Sequence, residues 1–181
     1  MKINIVDIET TGFSPYNDYI VEIGIAVLDT ENGNIQTVFD QIIHESGFGP
    51  DNQSAWVFSN SDLTYEEVLK TPPIGFVRDE IQELLNANPS TAFNSDFDFR
   101  FLENQKFVIP EKLPCIMKAC TPVVRLSGYY GQNKWPKVEE AWKFFFPDED
   151  YTEQHRAADD AIHEGRILLE MIRREKYELN E

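Results

Sequence analysis

Apolar positions in the first 45 residues follow the pattern of β-strands. Residues 2–8 are apolar on both faces, as expected of a central strand that is covered on each side. Residues 19–28 form a second apolar run rich in β-branched side chains, and residues 35–43 form a third. The Asn32-Gly33 pair between these two runs predicts a type I′ hairpin turn. The pattern therefore predicts three consecutive antiparallel strands.

Helical spacing of apolar residues dominates after residue 60. Thr64 and Glu67 form a capping-box pattern in a short helix predicted over 63–69, and Pro72-Pro73 end it. Further helices are predicted over 74–85, 97–104, 121–130, 138–145 and 157–176, and short strands over 89–93 and 116–119. Together these elements predict an α/β fold with a mixed sheet, three antiparallel strands and then parallel strands, and helices on both faces. Because no linker-like segment interrupts them, a single domain over 1–181 is expected.

The composition is typical of a folded protein with a full core. Hydrophobic residues make up 41% of the 181 residues, and a chain of this length can bury roughly 70% of its unfolded surface. Cys115 and Cys120 are the two cysteines, and we expect reduced thiols, because no further ligands complete a zinc site. The N-terminal sequence has an acid at position 7, unlike a signal peptide or an anchor. We therefore expect a cytoplasmic protein with no membrane contact.

The net charge of the chain argues against nucleic-acid binding when it is considered alone. The net charge is −16, whereas phosphate-binding proteins usually carry a basic surface. Its distribution is uneven: residues 1–99 have 3 basic and 17 acidic side chains, and residues 100–143 have 8 and 4. Within the second stretch Lys134 and Lys137 are candidates for phosphate contact, although an ordinary solvated surface explains them equally well. An acidic protein can still bind phosphate where metal ions supply the positive charge.

Two carboxylates follow each other closely in the first predicted strand. Asp7 and Glu9 are two residues apart, so their side chains project to the same side. They lie at the carboxyl end of the strand, where open α/β sheets place their binding sites. Buried carboxylates are costly unless a cation compensates them, which favours a metal site. The alternative is that the strand ends at Val6 and that both acids are solvated.

Two later acidic segments are ambiguous on spacing alone. Asp98 stands near a predicted helix start, where the helix dipole favours any acid, and Asp96 is the better N-cap candidate. In the segment 155–160, helical spacing places His155 on one face with Asp159 and not with Asp160. His155 and Asp160 converge only if His155 lies in the loop before the helix. Otherwise both acids simply complement the helix dipole.

Taken together, three segments resemble the motifs of one enzyme group. DIETTG at 7–12, FNSDFD at 93–98 and HRAADD at 155–160 are similar, in order and spacing, to the three motifs of the DEDDh exonucleases. That group includes the proofreading subunit of bacterial DNA polymerase III, RNase T and oligoribonuclease. The resemblance covers most of the chain and departs at Phe93, where the group usually has histidine. It implies an RNase H-like fold, in agreement with the predicted strands.

The resemblance also implies which residues form the site. Two divalent cations, Mg²⁺ or Mn²⁺, are implied to bind Asp7, Glu9, Asp98 and Asp160, and His155 is implied to be the general base. The terminal nucleotide is implied to contact Thr10, Thr11, Gly12, Phe13 and Asn94. The implied partner is a 3′ end of DNA or RNA, whereas a polymerase or repair partner is not identified. Because few residues follow the last predicted helix, we do not expect a tail that tethers a polymerase.

The activity that follows is phosphodiester hydrolysis. We expect a 3′→5′ exonuclease that releases nucleoside 5′-monophosphates from single-stranded ends, because two cations can activate water and stabilise the leaving oxygen. One alternative is a metal-dependent phosphodiesterase acting on small nucleotides, which the acidic charge favours. The other is a non-catalytic nucleic-acid-binding or scaffold module on the same fold.

Overall fold

The computed structural model describes residues 1–179, which contain a four-stranded mixed sheet. Its strands are β1 (Lys2–Thr10), β2 (Ile20–Asp29), β3 (Ile35–Ile42) and β4 (Ser90–Thr91). They lie in the order β3-β2-β1-β4. β1 pairs antiparallel with β2, β2 pairs antiparallel with β3, and the short β4 lies parallel to β1. The predicted α/β mixed sheet is confirmed, with one parallel strand.

Helices pack around this sheet. They are α1 (Val57–Asn60), α2 (Tyr65–Val68), α3 (Arg78–Ala87), α4 (Ser95–Asn104), α5 (Ile116–Val124), α6 (Val138–Phe145) and α7 (Ala157–Arg173). Single 3-10 turns lie at Pro50–Asn52, Ile74–Phe76 and Tyr129–Gly131. The capping box predicted for α2 is confirmed, because Thr64 and Glu67 exchange hydrogen bonds between side chain and backbone. Among the described residues, no helix is long and apolar enough to cross a membrane.

Both faces of β1 are covered, because its side chains alternate between two hydrophobic cores. Ile3 and Ile5 belong to the core formed with α5, α6 and α7. Val6 and Ile8 belong to the opposite core, formed with α3 and α4. The odd-numbered residues of β1 therefore share the face that α7 covers.

The start of α7 lies very close to the sheet at Gly24 of β2. A Cβ atom at this position would lie 2.2 Å from the carbonyl carbon of Ala157 and 2.3 Å from the nitrogen of Ala158. No side chain larger than hydrogen fits there. Gly24 is also the register partner of Asp7, so this contact places the first turn of α7 beside the carboxyl end of β1.

The strand predicted over 116–119 is wrong, since these residues begin α5. The helix predicted over 121–130 is the second half of α5, which ends at residue 124. Ile116 and Met117 donate backbone hydrogen bonds to the carbonyl oxygens of the two residues that follow β4. These two carbonyl oxygens would be the hydrogen-bond acceptors for a strand paired at this edge, and the first turn of the helix uses them instead. An apolar run of this length does not distinguish a strand from a helix.

The turn between β2 and β3 is longer than the predicted type I′ turn. Within this turn Gly33 alone has a positive φ (76°), whereas a type I′ turn needs a positive φ at both central residues. The Asn32 side chain instead accepts a hydrogen bond from the nitrogen of Asn34 at 2.8 Å. The predicted antiparallel pairing of the two strands is present nonetheless.

Candidate active site

Asp7 and Glu9 lie together at the carboxyl end of β1. As odd-numbered residues of the strand, they share the face that α7 covers. Glu9 is 9% exposed, and Asp7 is partly buried. Because β1 continues to Thr10, the alternative of a strand that ends at Val6, followed by two solvated acids, is wrong.

Asp98 reaches the same region from α4. This helix begins at Ser95, two residues earlier than predicted, and its N-cap is Asn94 rather than Asp96. Asp98 lies in the first turn and is 3% exposed. Asp96 is exposed instead and pairs with Lys118 at 2.6 Å. Asp98 therefore faces the inside of the protein from the first turn, whereas Asp96 faces solvent.

His155 lies in the loop before α7, as its convergence with Asp160 requires. Its backbone is left-handed (φ 53°), and the helix begins two residues later. Asp160 is 1% exposed. It accepts hydrogen bonds from the Tyr151 hydroxyl at 2.8 Å and from the nitrogen of Arg156 at 3.0 Å. One side-chain atom each of Glu9, His155 and Asp160 lie within 4.8 Å of one another.

Asp159, which helical spacing favoured, is not part of this cluster. Its side chain is 47% exposed and lies 3.3 Å from Nδ1 of His163. The spacing rule fails here because His155 precedes the helix and does not share its period. The structure therefore brings Asp160, and not Asp159, against Glu9.

A partly buried ion pair fixes the start of α7. Glu22 of β2 is 1% exposed and accepts hydrogen bonds from the Arg156 guanidinium at 2.7 Å and 3.0 Å. It also accepts one from the nitrogen of Ala157 at 3.0 Å. Arg156 pairs in addition with the exposed Asp62 at 2.7 Å. Since Glu22 is the register partner of Glu9, the ion pair ties the loop before α7 to the strand next to the acids.

The predicted site residues border one cavity of about 410 Å³. Nine of the ten line it directly: Asp7, Glu9, Thr10, Thr11, Gly12, Phe13, Asn94, Asp98 and His155. The tenth, Asp160, joins them through its proximity to Glu9 and His155. Other residues in the lining are Ile8, Trp56, Phe93, Phe97, Val138, Glu153 and Glu164.

Burial makes the charged forms of the site carboxyls costly. It raises the pKa of Glu9 to about 9, and repulsion from Asp160 adds to this shift. It raises the pKa of Asp98 to about 8 and the pKa of Asp7 well above its usual value. Buried carboxylates that repel one another are a donor set that a divalent cation would compensate. The residues present therefore fit a divalent metal ion.

The loop after β1 is shaped by small and polar residues. A Cβ atom on Gly12 would lie 2.5 Å from the Asp18 carboxylate, so a side chain at this position would have to displace that carboxylate. The nitrogen of Tyr19 donates a hydrogen bond to Thr11 Oγ1 at 2.9 Å, which closes the loop. Phe13 is left 90% exposed at the edge of the cavity.

Three side chains at the site were not found from the sequence. Glu164 is 3% exposed and accepts a hydrogen bond from the nitrogen of Phe93 at 3.1 Å. Glu153 lies 3.9 Å from Nδ1 of His155, and the ring of Trp56 packs edge-on against the same histidine, 4.8 Å between centroids. Glu164 follows Asp160 by four residues on α7, and this spacing places both acids on the same face of the helix, so it could have been predicted. No local pattern identifies the other two.

The fold and the site define a class: a mixed sheet with buried carboxylates at the end of its central strand and a histidine beside them is suited to metal-dependent hydrolysis. The model of the RNase T exonuclease family matches residues 5–168. The chain belongs to this exonuclease family. It is a nuclease whose substrate is nucleic acid and whose family uses divalent metal ions.

Solved structures of nucleases share the fold. The nuclease domain of 3′hExo, a DEDDh family member bound to rAMP, is 18% identical with a TM-score of 0.73, covering 99% of this chain and 96% of that one. Cell-death related nuclease 4 is 14% identical with a TM-score of 0.72, covering 96% and 64%. E. coli Exonuclease I in complex with a dA16 oligonucleotide is 15% identical with a TM-score of 0.67, covering 94% and 40%. The family match thus confirms the resemblance to the exonuclease group that includes RNase T, and the solved structures confirm the fold. No curated protein sequence matches the chain.

Proposed function

We propose that this nuclease is a 3′→5′ exonuclease that releases nucleoside 5′-monophosphates from single-stranded ends of DNA or RNA. The observation that carries the proposal is the convergence of four buried or partly buried acids and one histidine, from three distant segments, at one cavity. Asp7, Glu9, Asp98 and Asp160 would hold two divalent cations, Mg²⁺ or Mn²⁺, which prefer oxygen ligands. When bound, these cations supply positive charge to the phosphate and the leaving oxygen.

The surroundings of His155 support its proposed role as general base. It lines the cavity and lies next to Glu9. On two other sides its ring contacts Trp56 and the carboxylate of Glu153. A histidine placed in this way can accept a proton from the water that attacks the phosphorus. Asp160 is held by two hydrogen bonds within the same segment, so the base and this acid are positioned together.

Two exposed aromatic rings favour a single-stranded end. Phe13 is 90% exposed and Trp56 is 57% exposed, and both line the cavity. Exposed rings of this kind stack on unpaired bases, and each stacked base is worth about 1–3 kcal/mol. A base inside a duplex has no free face for such stacking. The cavity of about 410 Å³ is in the size range of pockets that hold one small ligand, which would here be the terminal nucleotide.

Digestion of 5′-labelled single-stranded DNA and RNA, with a blunt DNA duplex alongside, tests the proposal. We expect stepwise shortening of both single strands with Mg²⁺ or Mn²⁺, nucleoside 5′-monophosphates as products, and no shortening with EDTA. Asp160→Asn should abolish the ladder, because a buried metal ligand is lost. Asp159→Asn is the matched control and should keep it, since this neighbouring acid is 47% exposed and outside the cluster.

Four outcomes would contradict the proposal. Cleavage that persists in EDTA would remove the metal site from the mechanism. An active Asp160→Asn variant would remove the proposed ligand set. Internal cuts without stepwise shortening, or equal cleavage of the duplex, would contradict the exonuclease activity or its single-strand preference.

The net negative charge supports a second candidate function, a phosphodiesterase that acts on small nucleotides. With a net charge of −16, the protein repels long polyanions more than short ones. A nucleoside 5′-phosphate aryl ester and a single-stranded oligonucleotide, compared at equal concentration, separate the two. The exonuclease proposal expects a higher kcat/KM for the oligonucleotide, and a higher value for the ester favours the second candidate.

A further inference from the structure

Residues 125–137, which join α5 to α6, fold into a short hairpin. Ser127 and Asn133 form an antiparallel bridge. Beside it the nitrogen of Gly128 donates to the carbonyl of Gln132 at 2.9 Å, and the nitrogen of Lys134 donates to the carbonyl of residue 126 at 3.0 Å. This hairpin is therefore held by its own backbone hydrogen bonds and presents a defined surface.

Large aromatic side chains project from the hairpin into solvent. Tyr129 is 89% exposed, Tyr130 is 101% exposed and Trp135 is 61% exposed. Tyr130 also has a left-handed backbone (φ 57°), which is costly for a residue of this size. Three open rings on one short segment are more than single scattered apolar residues, and such groups mark interaction sites.

The charge of the hairpin is opposite to that of the protein. Residues 125–137 contain Arg125, Lys134 and Lys137 and no acid, within a chain of net charge −16. Lys134 is engaged by Glu140 at 2.5 Å. Arg125 and Lys137 are exposed, and neither forms an ion pair within the described residues. Basic side chains among exposed rings match the phosphates and bases of a single strand.

The hairpin leads directly into the active-site cavity. Its last residue, Lys137, is the N-cap of α6, and the next residue, Val138, lines the cavity. Glu139 in the first turn of α6 accepts a hydrogen bond from the nitrogen of Glu153, another lining residue, at 3.3 Å. Burial raises the pKa of Glu153 to about 7, and the Lys137 ammonium is near enough to oppose that rise.

We propose that this hairpin binds the single-stranded segment on the 5′ side of the bond being cleaved, with Tyr129, Tyr130 or Trp135 stacking on bases and Arg125 and Lys137 contacting phosphates. The inference rests on the exonuclease activity proposed above. If the 3′-terminal nucleotide occupies the cavity, the remaining strand must leave it on the 5′ side, and the hairpin is a positively charged surface at its border. It would offset the acidic body of the protein for long substrates.

A second copy of the chain is a less suitable occupant of this surface. In a two-fold symmetric contact the hairpin would meet itself, which places its basic side chains against one another. A phosphate backbone instead neutralises the same side chains. Oligomeric state is nevertheless measured in the test, because exposed tyrosines and tryptophan also occur at protein interfaces.

The test compares kcat/KM across substrate length: a thymidine 5′-phosphate aryl ester, then oligothymidylates of two, four and twelve nucleotides. The variants are Tyr129→Ala/Tyr130→Ala and Arg125→Asn/Lys137→Gln. For each, we expect the ratio of kcat/KM on the longest oligonucleotide to that on the ester to fall about fivefold or more, mainly through KM. In the charge variant, the slope of log KM against log salt should also fall by about 0.7 for each lost phosphate contact.

Lys2→Ala and Phe76→Ala are the matched controls. Lys2 is exposed at the opposite end of β1, about 17 Å from Asp7 at about 3.4 Å per residue. Phe76 is 82% exposed on the side of the sheet that α3 covers. Each removes the same kind of side chain as the hairpin variants, and each should keep the wild-type ratio and salt slope.

Failure of this inference can be told apart from failure of the exonuclease activity. If wild-type protein shortens the oligonucleotides but both hairpin variants keep its length dependence, the hairpin proposal is wrong and the activity stands. If wild-type protein does not shorten them, the exonuclease proposal itself is wrong. If the variants turn a dimer into a monomer in sedimentation and lose activity equally on every substrate, the hairpin is a contact between copies, which overturns the proposal.

Discussion

The partly buried ion pair of Arg156 and Glu22 should link the stability of the protein to the geometry of its site. Arg156→Met removes the guanidinium and keeps much of the side-chain volume. Glu22, which is 1% exposed, then retains only the hydrogen bond from the nitrogen of Ala157 at 3.0 Å. A buried carboxylate without its counter-charge is the costly result.

The magnitude follows from the exposure of the pair. Removing one partner of a buried ion pair costs about 3–5 kcal/mol. The Arg156 side chain is 32% exposed, so water reaches the pair and we expect the lower end, about 3 kcal/mol. For a chain of this size that loss lowers Tm by roughly 6–12 °C. Asp62→Asn is the control and should cost at most about 1 kcal/mol, because the Asp62 side chain is 77% exposed.

Thermal unfolding of Arg156→Met, Glu22→Gln, their double variant and Asp62→Asn measures these losses. The double variant leaves no uncompensated charge, so its loss should be smaller than the sum of the single losses by about 1 kcal/mol or more. At temperatures well below its Tm, Arg156→Met should also have a lower kcat, because Arg156 is next to His155 in the sequence and its backbone nitrogen donates to Asp160. Additive losses, or equal destabilisation by Asp62→Asn, would refute the coupling.

Three further predictions concern packing, protonation and stacking. Gly24→Ala should destabilise the protein by about 1–3 kcal/mol in a denaturant titration, because its Cβ would lie 2.2 Å from a backbone atom of α7, whereas Gly75→Ala, with nothing within 4 Å, should not. Burial raises the pKa of Glu9 to about 9 and that of Asp98 to about 8, so the folded metal-free protein keeps protons that the unfolded chain releases near pH 4. Its Tm should therefore fall as pH rises from about 5 to 9. Mn²⁺ should remove this fall, because it binds the folded state. A Tm that rises with pH in EDTA would contradict the predicted direction of the pH dependence. Trp56→Ala should raise KM for single strands about fivefold or more, and an unchanged KM would contradict a stacking role.

Regular burial patterns explain which elements the sequence predicts well. The predicted segments 2–8, 19–28 and 138–145 coincide with β1, β2 and α6 to within two residues. They are recognisable because a strand covered on both faces is continuously apolar, and because apolar residues of an amphipathic helix recur about every 3.6 residues. The segment 116–119 was assigned wrongly, since a short apolar run satisfies both patterns and its backbone acceptors come from residues far away in the chain. The single domain over 1–181 and the cytoplasmic location stay predictions.

The sequence by itself determined the strand-rich first third, the α/β class and, through three motifs, the family. Local spacing pointed to Asp159 and only the motif resemblance named Asp160; the tertiary structure supplies the physical reason, because the loop conformation of His155 breaks the helical period that local spacing assumes. It alone joined Glu22 to Arg156, which are 134 positions apart. Local patterns encode period and capping, whereas the partner of a buried charge depends on which distant strand and helix pack together.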